Sequence, residues 1–416
     1  MAYVPPHLRH AKDAEKPSPK PELLVPQFQR SLNFGSPSRS NVGRRKGHNQ
    51  PSSQAGKIEY GNDAIYRWFA AGSPGDGQFP SSAGLETISL KSFEQRSAEP
   101  PLILVLDPHV AQDVKESDGD VRKSPWEYVA ENVQEDLLSS FQNVRKARES
   151  QELEGKPTLV VRFGKILFRG RSLTNVEAVE RKSVSETTLR QMKRSLYTNV
   201  PVAFIQHVTS EAVPKIGLDF AEEKELYHIK LSDSMRPDST ITCKCRVMED
   251  CKKLQLHKIE LNQVRHLVFD VSCLDKKLDL RLMLYTKEAL TDLTDDEEHC
   301  IRNLINSAVL NSEVKGGLRW PLGTETSGGR FTVVGVWHTN AKIFRSSSIR
   351  LKVRHADRFD FRTSVGEVSR EVSLKMTEIC LELLKQNHQV DLVTTMLEDN
   401  LRLIWECFLD CDCSFE

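Results

Sequence analysis

This chain of 416 residues has no run of eighteen apolar residues, which excludes a predicted membrane-spanning helix. Its first residues lack the apolar stretch of a secretory signal, so we expect a cytoplasmic or nuclear protein with reduced thiols. No cysteine precedes Cys243, and the total of nine is odd, which argues against a disulfide framework. We therefore expect most cysteines to be small buried residues.

Standard catalytic motifs are also absent. The sequence contains no GxxxxGK[ST] phosphate loop, no GxGxxG opening a helix, no HExxH and no GxSxG. Each absence weakens one enzyme class without excluding enzymes in general. From the residues alone we predict no catalytic residue, no cofactor, no metal site and no evident small-molecule substrate.

Positive charge and proline are concentrated at the N terminus. Residues 1–57 hold ten Lys/Arg, three Asp/Glu and eight of the 19 prolines, whereas the whole chain has a formal net charge of zero. Such a segment cannot bury enough apolar surface to offset its ordering entropy, so we predict a disordered basic tail over 1–57. Its cations, including Arg44, Arg45 and Lys46, are expected to contact an acidic partner such as RNA. A solvated linker is the alternative.

For residues 58–416 the sequence predicts a globular α+β body, either undivided or composed of two subregions, 58–155 and 156–416. SPWEYVAENVQEDLLSSFQNVRKARES predicts a helix, capped by Ser124 and Glu127. From Thr158 onward apolar residues recur with period two, and consecutive strands without intervening helices predict a predominantly antiparallel sheet with flanking helices. KIEYGNDAIYRWFAAG predicts a short helix capped by Asp63, and PVAFIQHV predicts a strand. The C-terminal residues predict a pair of helices near 367–387 and 390–409.

The segment KGGLRWPLGTETSGGRF is a candidate pocket loop. Gly317 and Gly329 permit close approach of the backbone to a ligand, while Arg319 and Trp320 could supply a charge and a stacking face. The alternative is an ordinary long connection between a helix and a strand.

The segment IRLKVRHADRF predicts a strand with one cationic and one apolar face. Arg350, Lys352 and Arg354 alternate with apolar residues, and a cationic sheet face can hold a phosphate backbone. A solvated face, balanced by acidic residues on neighbouring strands, would show the same pattern.

The opening decapeptide MAYVPPHLRH has the composition of a short docking motif. Pro5 and Pro6 pre-organise an extended conformation, and Tyr3 and Leu8 provide two anchors. The stretch resembles the Tyr-Ile-Pro-Pro-His-Leu-Arg of the N-terminal tails of some DEAD-box RNA helicases, which resembles a signature that binds the mRNA cap-binding initiation factor. Arg9 stands where that signature has an apolar residue, and no helicase core follows.

A larger portion of the chain resembles an uncharacterised family of plant proteins. The likeness is carried by MAYVPPHLRHAKD, PELLVPQF and AIYRWFA. It implies no reaction, no cofactor and no catalytic residue.

The leading prediction is a non-enzymatic interaction protein, associated with RNA or a translation-related protein. The alternative is a metal-dependent phosphate- or nucleotide-processing enzyme, in which strands with inward Lys, Arg and Glu close into a tunnel-like antiparallel barrel that resembles metal-dependent triphosphatases. Such an enzyme needs paired acidic ligands on one strand face, and KIEL offers Glu260 followed two residues later by Asn262. A purely structural role is a third hypothesis.

Overall fold

The computed structural model describes residues 16, 18–19, 58–72, 79–91, 93–94, 99–106, 123–150, 155–169, 183–248, 253–321, 327–385, 387 and 389–413. The predicted docking motif and the Arg44–Lys46 cluster lie outside these residues. Within the predicted tail, Lys16 is described, and its Nζ lies 3.0 Å from Oδ2 of the buried Asp357.

Most of the described chain forms strands. In chain order they are β1 (Glu59–Ala71), β2 (Ala83–Thr87), β3 (Leu102–Leu106), β4 (Thr158–Arg169), β5 (Lys193–Tyr197), β6 (Asp219–Asp233), β7 (Arg236–Val247), β8 (Leu254–Glu260), β9 (Val264–Cys273), β10 (Asp279–Thr286), β11 (Val309–Leu310), β12 (Leu318–Arg319), β13 (Ser327–Gly328), β14 (Phe331–Arg345), β15 (Ile349–Asp360) and β16 (Val365–Met376).

Ten of these strands follow one another across a single sheet. Their order is β1-β9-β10-β4-β16-β15-β14-β6-β7-β8, and every pair in it is antiparallel except β1 with β9. Strands β2, β3, β5 and β13 extend this sheet at its sides, and β11 pairs with β12 separately. The prediction of a mixed fold dominated by an antiparallel sheet is confirmed.

The helices are short except for the first. They are α1 (Pro125–Glu149), α2 (Glu186–Gln191), α3 (Val202–His207), α4 (Val213–Lys215), α5 (Asp295–Asn306), α6 (Thr377–Leu383) and α7 (Val390–Leu403), with π-helical turns at Val208–Ala212 and Ile404–Phe408. The predicted capping box of α1 is present: Ser124 caps the N terminus, and Glu127 accepts a hydrogen bond from the Ser124 backbone N–H at 2.9 Å. Among the described residues, no helix has the length and apolar character needed to cross a bilayer.

Two apolar clusters cover the outer face of the sheet. In the larger one, α1 and α7 pack on β9, β10, β4 and β16 through residues such as Leu137, Phe163 and Leu282. In the second, Leu304 of α5 packs on β6 and β7. Each fully buried side chain of this size contributes about 1.5–3 kcal/mol, so the helices are held on the convex side of the sheet. The concave side carries many charged residues together with a smaller apolar cluster that includes Met283 and Tyr285.

Three secondary-structure predictions are wrong. The segment predicted as a helix capped by Asp63 belongs to β1, whose parallel pairing with β9 supplies its backbone partners. PVAFIQHV contains α3 instead of a strand, and residues 365–376 form β16 before the short α6 begins. In β16 the period-two alternation of Val372, Leu374 and Met376 outward with polar residues inward was the signal that the helix prediction missed.

Candidate anion-binding cavity

A cavity of about 1090 Å³ lies on the concave side of the sheet. It is lined by residues from both ends of the strand order, so the sheet curves around it, and Ser239 Oγ of β7 reaches Glu59 Oε1 of β1 at 2.8 Å. Eleven Lys/Arg but four Asp/Glu contribute to the lining, an excess of seven positive charges. The basic residues are Arg162, Arg169, Lys193, Lys230, Lys244, Arg265, Arg281, Lys287, Arg354, Arg358 and Arg362, and the acidic ones are Glu260, Asp360, Glu367 and Glu371.

Strand register explains why these charges converge. Arg162 of β4 pairs with Arg281 of β10 on one side and with Ser373 of β16 on the other. Since side chains alternate between the two faces of a strand, Arg162, Arg281 and Arg354 point into the cavity, while their chain neighbours Val161, Leu282 and Val353 enter the larger apolar cluster. The curved sheet therefore concentrates charges that are far apart in the sequence.

Glu260 is held by three lysines. Lys244 Nζ lies 2.7 Å and Lys258 Nζ 3.2 Å from Glu260 Oε1, and Lys287 Nζ lies 3.5 Å from its Oε2. Burial alone would raise the pKa of Glu260, but the three ammonium groups overcome that effect and lower it to about 2. Glu260 is therefore an ionised structural counter-ion at neutral pH.

Glu371 is held by two arginines in the same way. Arg354 and Arg358 of β15 each donate a hydrogen bond to one of its carboxylate oxygens, and Ser369 Oγ approaches Oε1 at 3.3 Å. Both carboxylate oxygens thus already have charged donors.

Four largely buried cations in or beside the cavity make no ion pair with a carboxylate of the described residues: Arg162, Lys230, Arg265 and Lys352. Burial, assisted by neighbouring cations, lowers the pKa of both arginines to about 10, that of Lys230 to about 8 and that of Lys352 to about 7. Desolvated cations without counter-ions are costly, and a bound anion would offset that cost.

His228 contributes a neutral polar group to the same wall. Burial, followed by the charges of Arg354 and Lys244, lowers its pKa well below the usual value. Its Nε2 lies 3.2 Å from Thr339 Oγ1. The imidazole is therefore uncharged at neutral pH and adds no positive charge to the cavity.

The carboxylates of the cavity do not fit a metal site built by the protein alone. The described residues include no group of three or more His, Cys, Asp or Glu placed to hold a metal ion. Glu260 and Asn262 both line the cavity, but Glu260 is paired with lysines and Asn262 has no carboxylate. The pair of acidic ligands that the metal-dependent alternative requires is therefore missing at these two positions.

The predicted basic strand contributes to this cavity. Arg354 lines it, and Lys352 lies on the same inward face, two residues earlier on β15. Arg350, at the end of the strand, lies 3.4 Å from Glu222 Oε1 and does not line the cavity. Sequence reasoning missed the partners of Arg354 on the other strands, although each stands as a single charge in an apolar strand, as in VVRFG and YHIKL.

The four residues of the predicted pocket loop lie outside the cavity lining. Trp320 is buried, its indole N–H donates to the Leu304 carbonyl at 3.2 Å, and its ring packs edge-on against Phe361. Gly317 has a φ of +72°, and a Cβ there would lie 3.0 Å from the Tyr227 ring, so glycine serves local packing. Arg319 is exposed, and Gly329 occupies the turn before β14.

Comparison with known proteins identifies the family. Residues 52–408 match the family described as Domain of unknown function (DUF7903). The chain belongs to this family. No curated protein matches it.

Several solved structures are similar to this family member at low identity. The Pct1 RNA triphosphatase of S. pombe is 7% identical, with 68% of this chain and 93% of that chain covered and a TM-score of 0.40. The Mimivirus capping enzyme triphosphatase is 7% identical, with 66% and 98% covered and a TM-score of 0.30. A putative adenylate cyclase from Bacillus halodurans is 9% identical, with 49% and 85% covered and a TM-score of 0.23.

The leading prediction, a non-enzymatic interaction protein associated with RNA, is wrong. The three solved structures just described are named as triphosphatases and a putative adenylate cyclase, and none of them is named as an RNA-associated interaction protein. The reason the prediction failed is local: Lys352 and Arg354, assigned to an open cationic surface, face the inside of a curved sheet.

Proposed function

We propose that this protein binds a polyphosphate-bearing substrate inside the cavity and acts on its phosphoanhydride bonds. The supporting observation is the excess of seven positive charges in one enclosed space. Three buried cations of its lining, Arg162, Lys230 and Arg265, make no ion pair with a carboxylate of the described residues, and neither does the neighbouring Lys352. A chain of phosphates matches this environment because each phosphate offers several anionic oxygens to different strands.

The type of cation also favours phosphate. Guanidinium groups such as Arg162 and Arg265 present parallel N–H donors that match phosphate oxygens, while lysine ammonium groups act as point charges. A volume of about 1090 Å³ accommodates a nucleotide-sized molecule. The mixture of both cations around one space suits an extended polyphosphate better than a single small anion.

The cavity's own residues supply electrostatic stabilisation. Phosphoryl transfer spreads charge over the phosphoryl oxygens, and cations that are already in place stabilise that charge without reorganisation. Arg162, Arg265 and Lys230 are the residues that we assign to this role, together with Arg354 from the predicted basic strand. Since the carboxylates do not fit a metal site, we assign no step to a metal.

The test is binding of inorganic tripolyphosphate by calorimetry, with phosphate release measured for tripolyphosphate and nucleoside triphosphates, each with and without Mg²⁺ or Mn²⁺. Arg162→Met should weaken binding about 10- to 100-fold, because a hydrogen bond to a charged group contributes about 1.5–3 kcal/mol. Arg190→Met is the matched control, since the exposed Arg190 of α2 pairs with Glu186 and does not line the cavity. Absence of both binding and phosphate release in the wild-type protein would overturn the proposal.

The N-terminal motif stays a separate prediction. Its likeness to helicase tails suggests that Tyr3 and Leu8 anchor a protein partner, with Pro5, Pro6 and Arg9 shaping the stretch. A pull-down in which Tyr3→Ala and Leu8→Ala retain every partner would exclude this role.

A further inference from the structure

Trp337 stands among charged residues in the cavity wall. It lies on β14, and its cross-strand neighbours are His228 on β6 and Arg358 on β15. The Lys230 Nζ lies 3.9 Å from the centroid of the Trp337 ring, and the guanidinium carbon of Arg358 lies 4.7 Å from it. One indole ring therefore contacts two cations that belong to two different strands.

The surroundings of Trp337 distinguish it from an ordinary core tryptophan. It belongs to none of the apolar clusters of the described residues, whereas Trp320 and Trp405 each do. Its ring lines the cavity together with the cations that it contacts. A residue that merely filled space would be expected to pack against aliphatic side chains.

Lys230 is the cation for which this contact matters most. Lys244 and Lys287 share Glu260, and Arg358 shares Glu371, but Lys230 makes no ion pair with any described carboxylate. The face of an aromatic ring attracts a cation through its quadrupole and carries no net charge. Trp337 can therefore restrain the ammonium group without neutralising it.

We infer that Trp337 is a positioning residue: its ring holds the Lys230 ammonium in the cavity in place of a carboxylate, so that the full positive charge stays available to a ligand phosphate. This inference rests on the proposed function for its ligand. The effect of Trp337 on Lys230 can nevertheless be measured without any ligand.

The charged groups around Lys230 set the background of that measurement. Burial, the largest effect, acts with the charges of Arg358, Arg362 and Lys287 against that of Asp360, and together they lower the pKa of Lys230 to about 8. An aromatic ring over the ammonium stabilises the charged form, so its removal should lower the pKa of Lys230 again.

The first experiment measures the pKa of Lys230 by competitive acetylation across pH, followed by peptide mass spectrometry, in the full chain. Trp337→Leu should lower this pKa by about 0.5 to 1.5 pH units, the shift that corresponds to a typical cation–π contact. Trp337→Phe keeps an aromatic face and should lower it less. Lys165, which pairs with Asp279 at 3.3 Å, is the internal control and should not shift.

The second experiment measures tripolyphosphate affinity of the same proteins. Trp337→Leu should weaken it about 2- to 30-fold, with Trp337→Phe between the leucine variant and the wild type. An unchanged Lys230 pKa in a folded Trp337→Leu protein overturns the inference, as does equal loss of affinity in both variants. Wild-type protein that neither binds tripolyphosphate nor releases phosphate overturns the proposed function instead, and the acetylation result then still decides whether Trp337 holds Lys230.

Discussion

Arg281 and Asp270 face each other on β10 and β9 and form a bidentate ion pair at the cavity wall. Arg281 Nε lies 2.6 Å from Asp270 Oδ1, and its Nη2 lies 2.9 Å from Oδ2. The Tyr66 hydroxyl of β1 donates to the same Oδ2 at 2.8 Å. Burial alone would lower the pKa of Arg281, but Asp270 raises it above the usual value. This pair links the parallel strand β1 to the antiparallel region of the sheet.

We expect Asp270→Asn to lower the free energy of unfolding by about 3–5 kcal/mol, because it leaves the Arg281 guanidinium buried without its carboxylate. Tyr66→Phe removes one hydrogen bond from the same carboxylate and should cost about 1 kcal/mol. Urea unfolding followed by circular dichroism compares the two. A loss in Asp270→Asn no larger than that in Tyr66→Phe would show that the pair does not stabilise the sheet.

The two lysines with strongly lowered pKa predict opposite pH dependences for binding and stability. Lys352 and Lys230, with pKa values of about 7 and 8, gain their charge as pH falls, so tripolyphosphate affinity should rise between pH 9 and pH 6.5. Their ordinary pKa of 10.5 means that the unfolded chain binds more protons between these values and 10.5. The free energy of unfolding should therefore increase as pH rises through that window.

Calorimetry and urea unfolding across this pH range test both signs. Lys352→Met removes one of the two titrating groups and should flatten both profiles. Affinity that is constant from pH 6.5 to pH 9 in the wild-type protein would contradict the prediction.

We expect Glu260 to stabilise the fold while weakening the binding of an anionic ligand. Glu260→Gln leaves Lys244, Lys258 and Lys287 without their shared carboxylate, so we expect a loss of about 3 kcal/mol in unfolding free energy at pH 7. The same change removes a negative charge from the cavity and should strengthen tripolyphosphate binding. Since the folded-state pKa is lowered to about 2, the contribution of Glu260 is present above its usual pKa of 4.5 and is lost as pH falls from there to about 2.

The deficit of Glu260→Gln relative to wild type should accordingly shrink in acid. Unfolding curves at pH 7 and pH 3 measure the loss of stability and its decrease in acid. Calorimetry at pH 7 measures the change in tripolyphosphate affinity. Weaker tripolyphosphate binding in a folded Glu260→Gln protein would contradict the prediction, because it would mean that the Glu260 charge favours ligand binding.

The sequence predicts the outer face of this fold better than its inner face. Alternating apolar residues, as at Leu280, Leu282 and Leu284, identify strands whose outer face is buried, and the structure places all three in the larger cluster. The start of α1 can also be predicted, because its capping box, Ser124 with Glu127, depends only on residues that are close in the sequence. Helical spacing misled in β1 because Trp68 and Phe69 are both buried, one in each of two different apolar clusters on opposite sides of the strand.

The cavity could not be predicted because it depends on which strands become neighbours. Arg162, Lys230 and Arg354 each appear in the sequence as a polar residue on a half-buried strand, a pattern that an ordinary solvated face also produces. The pairing of β4 with β16, of β16 with β15, and of β14 with both β15 and β6 brings the three to one concave surface. Pairing between distant strands and the curvature of the sheet are tertiary properties that local patterns do not encode.

Trp320 and Arg354 are both site candidates from the sequence analysis. We expect substitution of Trp320 to change stability and substitution of Arg354 to change ligand affinity. Trp320→Phe leaves the Leu304 carbonyl without its donor in the second apolar cluster, so it should lower the unfolding free energy by about 1–3 kcal/mol and leave tripolyphosphate affinity unchanged. Arg354→Met removes a cation from the cavity lining and should weaken that affinity about tenfold or more. Thermal unfolding and calorimetry on both variants give the comparison. Loss of affinity in a folded Trp320→Phe protein, with Arg354→Met binding normally, would move the ligand from the cavity to the glycine-rich segment.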